Sequence, residues 1–169
     1  MKKLFTLLAL TITFSMNAQM SDYSSGTAAT GGTAVAMGAS TTASGFISTA
    51  MGNITIASGL VSTAMGYDTT ASGYISTAMG FYTTASGDTS TAMGFYTTAS
   101  DYGSVVIGQY NSSGSSVTNS ATSFSTSNTA FVIGNGADSS NKSDAFKVMF
   151  NGDTTVSNDL TVSGDTSVS

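Results

Sequence analysis

The chain has 169 residues, of which 40% are hydrophobic and only 8% charged, and its formal net charge is −5. It contains no His, Cys, Glu, Arg, Trp or Pro, which removes disulfides, cysteine-linked lipid anchors, zinc sites and most nucleophile–base pairs. No Lys or Arg stands between Lys3 and Lys142, which argues against nucleic acid and anionic lipid as partners, because both need cations on the protein.

Residues 1–18 read as a secretory signal. Lys2 and Lys3 form the basic start, Leu4 to Phe14 the apolar segment, and Met16-Asn17-Ala18 a cleavage site. The apolar run is too short for a permanent transmembrane helix. Removing it leaves two lysines against nine aspartates, a net charge of −7. Residues 19–28 form a short polar lead-in.

Residues 29–112 repeat every fourteen residues. The clearest unit runs Ala71-Ser72-Gly73-Tyr74-Ile75-Ser76-Thr77-Ala78-Met79-Gly80-Phe81-Tyr82-Thr83-Thr84. A fixed period predicts an array in which each unit packs on its neighbours. Fourteen residues rich in Thr, Ser and Gly suit one coil of a β-solenoid, with two strands of about five residues and Gly at the corners. Alternation puts Ser76, Ala78 and Gly80 on one face and Ile75, Thr77 and Met79 on the other. A coil this tight holds small side chains, so the small face is expected inside. Met37, Met51, Met65, Met79, Met93 and Ile107 then form an outward apolar stripe. A soluble monomer rarely exposes such a stripe, and symmetric self-association would cover it. The alternative puts Met in the core and Ala outside.

The register breaks at Ser113-Gly114, and residues 113–130 read as a Ser/Thr-rich loop or irregular coil. Residues 131–169 read as a β-rich neck or the start of further repeats. Phe131-Val132-Ile133-Gly134 restates the strand of the coils. Phe146, Val148 and Phe150 alternate, and Asn151-Gly152 signals a tight turn. A six-residue echo then carries Val156, Val162 and Val168, as though the chain were a fragment or a shortened relative.

Ser104-Val105-Val106-Ile107-Gly108 and the Ser-Thr-Ala-Met-Gly copies resemble the head repeats of trimeric autotransporter adhesins, the YadA-like head. That resemblance implies a left-handed parallel β-roll, a homotrimer, and display at a bacterial surface, outer-membrane-associated or secreted. The chain departs from the family in writing Thr-Ala-Met where Val-Ala-Ile is usual.

Two aromatic columns are candidate ligand surfaces. Tyr82, Tyr96 and Tyr110 share one position on the second strand, with Ile54 and Asp68 before them, and Tyr74 and Tyr102 share the preceding corner with Phe46, Leu60 and Asp88. Exposed tyrosines give large contact area with a polar tip, and mutual stacking is their other use. Thr columns at 49, 63, 77, 91 and at 55, 69, 83, 97 raise an ice-binding alternative, weakened because Thr77 shares its face with Met79. A shaft piece of a tail-fibre-like secreted protein is a further alternative. Asp138 and Asp144 flank Asn141 as a weak calcium candidate, and a solvated turn is the better reading. Taken together, the sequence predicts an all-β, exported, homotrimeric adhesin head that binds an unidentified surface. Neither catalysis nor a cofactor is expected, nor is insertion of this chain into a membrane.

Overall fold

The computed structural model of the protein describes residues 26–161. The secretory signal, most of the lead-in and the end of the C-terminal echo lie outside the described residues. Regular structure within them is all strand: β1 (Ala28–Ala29), β2 (Val35–Ala39), β3 (Thr42–Ala43), β4 (Thr49–Asn53) and β5 (Ile56–Ala57). There follow β6 (Thr63–Tyr67), β7 (Thr70–Ala71), β8 (Thr77–Phe81), β9 (Thr84–Ala85) and β10 (Thr91–Phe95). The chain continues through β11 (Thr98–Ala99), β12 (Val105–Gln109), β13 (Thr129–Asn135), β14 (Asp144–Met149) and β15 (Thr154–Val156).

These strands build a parallel β-solenoid of about six coils. Each residue pairs with the one fourteen positions on, as in Met65 with Met79 and Thr70 with Thr84. The odd strands β1 to β11 form a narrow sheet, and the even strands β2 to β12 form a wide one. At a strand spacing of about 4.8 Å, six coils make a rod of roughly 29 Å.

The interior is a column of alanine. Ala50, Ala64, Ala78 and Ala92 from the wide sheet meet Ala57, Ala71, Ala85 and Ala99 from the narrow one, all at 0% exposure. Ser48, Ser62 and Ser76 also point inward, each donating its hydroxyl to the carbonyl three residues earlier at 2.7 Å. Small residues are therefore inside, as alternation requires. Gly80 is the exception, since it lies exposed one residue before the end of its strand.

Two details differ from the sequence expectation. The second strand has two residues where about five were expected, because residues 72–76 turn back at once to start the next wide strand. Nor are the corners made by Gly. Positive φ falls on Ile54, Asp68, Tyr82, Tyr96 and Tyr110 at one corner, and on Ile47, Val61, Ile75 and Thr89 at the other. Left-handed backbone costs an L-residue roughly 1–2 kcal/mol. What offsets it is a hydrogen bond between coils: the corner N–H turns to the preceding coil, as from Tyr82 to the Tyr67 carbonyl and from Ile75 to the Leu60 carbonyl, both 2.9 Å. The glycines serve close approach, and those of the wide strands, such as Gly66 and Gly80, take positive φ as well. A Cβ on Gly73 would overlap the carbonyl of Gly87 one coil on.

The stack does not end at β12. After an irregular passage, β13 adds a seventh parallel rung, with Val106 beside Val132 and Ile107 beside Ile133. Strands β14 and β15 then extend the wide sheet antiparallel around the Gly152 turn.

Candidate binding surface

The corner after each wide strand carries the richest surface. Translation by one coil superposes identical backbone, so a side chain at this corner lies directly over its counterpart. Tyr82, Tyr96 and Tyr110 stack with ring centroids 4.6 and 4.8 Å apart and planes within 13°. They stand at the corner, not on the second strand where the sequence reading put them, because their positive φ swings them out before β9 and β11 begin.

A second ladder runs beside the first. Tyr67, Phe81 and Phe95, the last residues of β6, β8 and β10, stack at 5.0 and 5.1 Å. The two ladders meet edge to face, Phe81 with Tyr82 at 4.7 Å and Phe95 with Tyr96 at 4.8 Å. Aromatic pairs in these geometries contribute about 0.5–1.5 kcal/mol each beyond burial, so the ladders stiffen the rod. Yet Tyr67, Phe81, Phe95 and Tyr82 remain 36–40% exposed. Stacking and availability coexist. The sequence reading missed the Tyr67 column, although its aromatic spacing of fourteen after Met-Gly was the signal.

The Tyr82 hydroxyl titrates above its ordinary value of 10.0, first from partial burial, then from Tyr67, Tyr96 and Asp68. Tyr110 is raised likewise by burial, Tyr96 and Asp138.

Met37, Met51, Met65, Met79, Met93 and Ile107 lie in one column on the outer face of the wide sheet, half-buried against one another and outside the alanine core. Alternation places Thr77, Met79 and Phe81 on that same face, so the Met column runs alongside the inner aromatic ladder.

Tyr74 and Tyr102 are not part of this surface. They sit two coils apart at the opposite corner, with Asp88 between them accepting the Tyr74 N–H at 2.9 Å. Phe46, Ile47, Leu60, Val61, Tyr74 and Ile75 leave that edge 38–51% exposed over three coils. Further along, residues 113–128 cover it, with Asp88 and Tyr102 donating to the carbonyls of Ala121 and Ser120.

The remaining polar candidates separate. Asp138 accepts hydrogen bonds from Asn141 and Ser140, which hold its carboxyl below the ordinary range. Asp144 accepts the N–H groups of Ser112 and Ser113, each at 2.8 Å. The two carboxylates thus serve different turns and do not converge on an ion. Lys142 and Lys147 line a pocket of about 410 Å³ with Ser112, Asn135 and Thr155. Thr55, Thr69, Thr83 and Thr97, one of the two Thr columns considered for ice, are wholly buried.

The model for the YadA head domain repeat matches the chain twice, over residues 57–83 and 85–111. The two matches together span about a third of the chain and cover four of its coils. Over these residues the chain is a run of YadA-like head repeats, as the Ala-Met-Gly strand and its period indicated. No curated protein and no solved structure matches the chain.

Proposed function

We propose that the chain is the head module of an exported, homotrimeric surface adhesin that acts by attachment and not by catalysis. The observation that carries this reading is the match to the YadA head domain repeat on a β-solenoid whose outer face is apolar and aromatic. The Met37 to Ile107 column is the contact between protomers. Burying one Met or Ile fully is worth about 1.5–3 kcal/mol, and six in a straight line suit a symmetric partner with the same repeat. The Tyr82, Tyr96 and Tyr110 ladder and its Tyr67, Phe81 and Phe95 companion form the attachment surface, where repetition along the rod converts weak contacts into avidity. Residues 131–169 serve as the neck.

Light scattering tests the assembly: the exported protein should have three times the mass of its own chain after residues 1–18 are removed. Met65→Asp with Met79→Asp should dissociate it. A folded, monodisperse wild-type monomer would overturn the trimer. Attachment is tested by changing Tyr82, Tyr96 and Tyr110 together to Ser, which should reduce binding to the target surface while β-sheet content stays nearly intact.

One observation favours a second reading. The narrow sheet turns Thr42, Thr70 and Thr84 outward, each followed two residues on by a Ser that is at least partly exposed, with Ile56 standing in the same column between Thr42 and Thr70. That is a flat, uncharged lattice of hydroxyls of the kind that can order water. Thermal hysteresis in solutions of the protein would support ice binding, and its absence leaves adhesion as the reading.

A further inference from the structure

The outer ladder stops at Tyr82. One coil earlier, the same corner position holds Asp68, with the same positive φ and the same backbone hydrogen bond to the preceding coil. The N-terminal side of the Tyr82 ring therefore faces a carboxylate where Tyr96 and Tyr110 face another ring. Tyr67 closes the side of this notch, its ring 5.7 Å from that of Tyr82 and tilted by 60°. Two aromatic rings at an open angle and one carboxylate form three walls, and both rings are more than a third exposed.

Among the described aspartates only this one and Asp159, an exposed residue beyond the last strand, accept no hydrogen bond from the chain. Asp88, Asp101, Asp138, Asp144 and Asp153 each accept hydrogen bonds from nearby backbone or amide groups. No hydrogen bond within the described residues reaches the Asp68 carboxylate. The chain also contains no Arg, and its only lysines outside the basic start are Lys142 and Lys147, which line a pocket at the far end. A second copy of the chain therefore brings no guanidinium to the notch.

We infer that the notch formed by Tyr67, Tyr82 and Asp68 is a binding site for the arginine side chain of a partner polypeptide. The chemistry selects arginine in two ways. A planar guanidinium stacks on an aromatic face within about 6 Å of its centroid. Its forked N–H donors also match a carboxylate, which a quaternary ammonium cannot use. A choline headgroup would further bring a phosphate toward Asp68 and a chain of net charge −5. The inference rests on reading the aromatic edge as the attachment surface and names what that edge takes.

The test titrates the protein with acetyl-Gly-Arg-Gly-amide while the ring resonances of Tyr67 and Tyr82 are followed by NMR. Saturable shifts of both rings are expected, with a Kd on the order of a millimolar for so small a ligand. The neutral citrulline analogue should not saturate. Asp68→Asn should weaken binding about tenfold, Tyr82→Leu roughly two- to fivefold, and Tyr82→Phe hardly at all. Equal shifts with citrulline, or Asp68→Asn binding as tightly as wild type, would overturn the site. Attachment assays on the same variants separate the two readings. If the Arg peptide is silent while the triple Tyr→Ser change abolishes attachment, the notch fails and adhesion stands. If the Arg peptide binds as described while attachment ignores the ring changes, the notch stands and the attachment surface lies elsewhere.

Discussion

The coils before Ser112 and the segment after it solve the same problem by opposite means. Inside the stack, each coil is the hydrogen-bond partner, the packing partner and the steric limit of the next, so fourteen residues repeated suffice. After Ser112 the wide sheet gains β13 but the narrow sheet gains no further strand, and side chains replace the missing backbone. Asn111 takes the place of a narrow strand: its amide oxygen accepts the Thr98 N–H at 2.8 Å and its nitrogen donates to the Thr98 carbonyl at 2.9 Å. Asp101 stands where earlier coils have Gly, and its buried carboxylate accepts the N–H groups of Thr118 and Thr129 at 2.6 and 2.8 Å. The edge of the narrow sheet is thereby closed instead of left as a template for another chain. Repetition needs residues small enough to let the next coil approach; termination needs polar side chains that replace it.

One substitution made in both regions breaks the comparison most visibly. A Cβ at Gly66 overlaps the Gly80 carbonyl of the following coil, whereas one at Gly152 meets nothing within 4 Å. Both residues have positive φ, 126° and 94°, so both lose glycine's freedom. Gly66→Ala should therefore cost more than about 4 kcal/mol or prevent folding, and Gly152→Ala about 1 kcal/mol. Urea unfolding followed by circular dichroism measures both. Similar losses would mean that coils are not held at van der Waals contact.

The terminating side chains come next. Asp101→Ala leaves the buried Thr129 N–H and the more exposed Thr118 N–H without their acceptor and should cost about 1–3 kcal/mol. Asp101→Gly, which restores the residue found in the earlier coils, should be no better, because the coil that a Gly would accommodate is absent. Asn111→Ala should cost about 2–3 kcal/mol for the same reason. A stabilised Asp101→Gly protein would show that the aspartate interrupts the stack without closing it.

Within the coils, the ladders predict a smaller contrast. Tyr96 contacts Phe81, Tyr82, Phe95 and Tyr110, while Tyr74 at the opposite corner has no ring neighbour among the described residues. Tyr96→Ala should cost roughly 2 kcal/mol more than Tyr74→Ala in the same unfolding measurement.

How far the sequence shows all this depends on what sets each feature. The period, the inward alanines, the outward methionines and the return of the strand at Phe131 follow from alternation and spacing, which any single coil displays. Corner conformation does not. Ile75, Val61 and Tyr82 have every intrinsic reason to avoid positive φ, and only a carbonyl fifteen residues earlier makes it worthwhile. Asp101 looks like a loop aspartate until Thr118 and Thr129 return to it, and Asn111 looks like a turn residue until Thr98 lies opposite. The aromatic edge is half visible in the sequence: the Tyr82 column shows in its spacing, while Phe81 and Tyr67 join it only once the corner sets the two columns edge to face. The notch at Asp68 depends on where one column stops, and a reader of the repeat looks for where it continues.

The smallest expected effect tests whether identity along the stack has a cost. Thr41, Thr55, Thr69, Thr83 and Thr97 are fully buried in one column, and none of their hydroxyls has a hydrogen-bond partner. The reason is geometric. Like positions in adjacent coils stand about 4.8 Å apart, too far for one hydroxyl to reach the next, and translation carries the same unmet group into every coil. Ser48, Ser62 and Ser76 escape because each finds a carbonyl within its own turn, and Ser90 because it reaches the Ala99 carbonyl. Past the end of the repeat, buried Thr129 escapes too: its hydroxyl lies 3.3 Å from that of Thr118, which only the irregular segment brings there. Val has the shape of Thr without the hydroxyl. Thr69→Val and Thr83→Val should each stabilise the protein by about 1 kcal/mol, since an unpartnered buried hydroxyl is removed and nothing is lost. Thr129→Val should destabilise it by a similar amount, because Thr118 loses its partner. Paired melting curves decide the matter. If Thr83→Val destabilises as Thr129→Val does, the column hydroxyls do find partners, and the stack carries a polar network inside its alanine core.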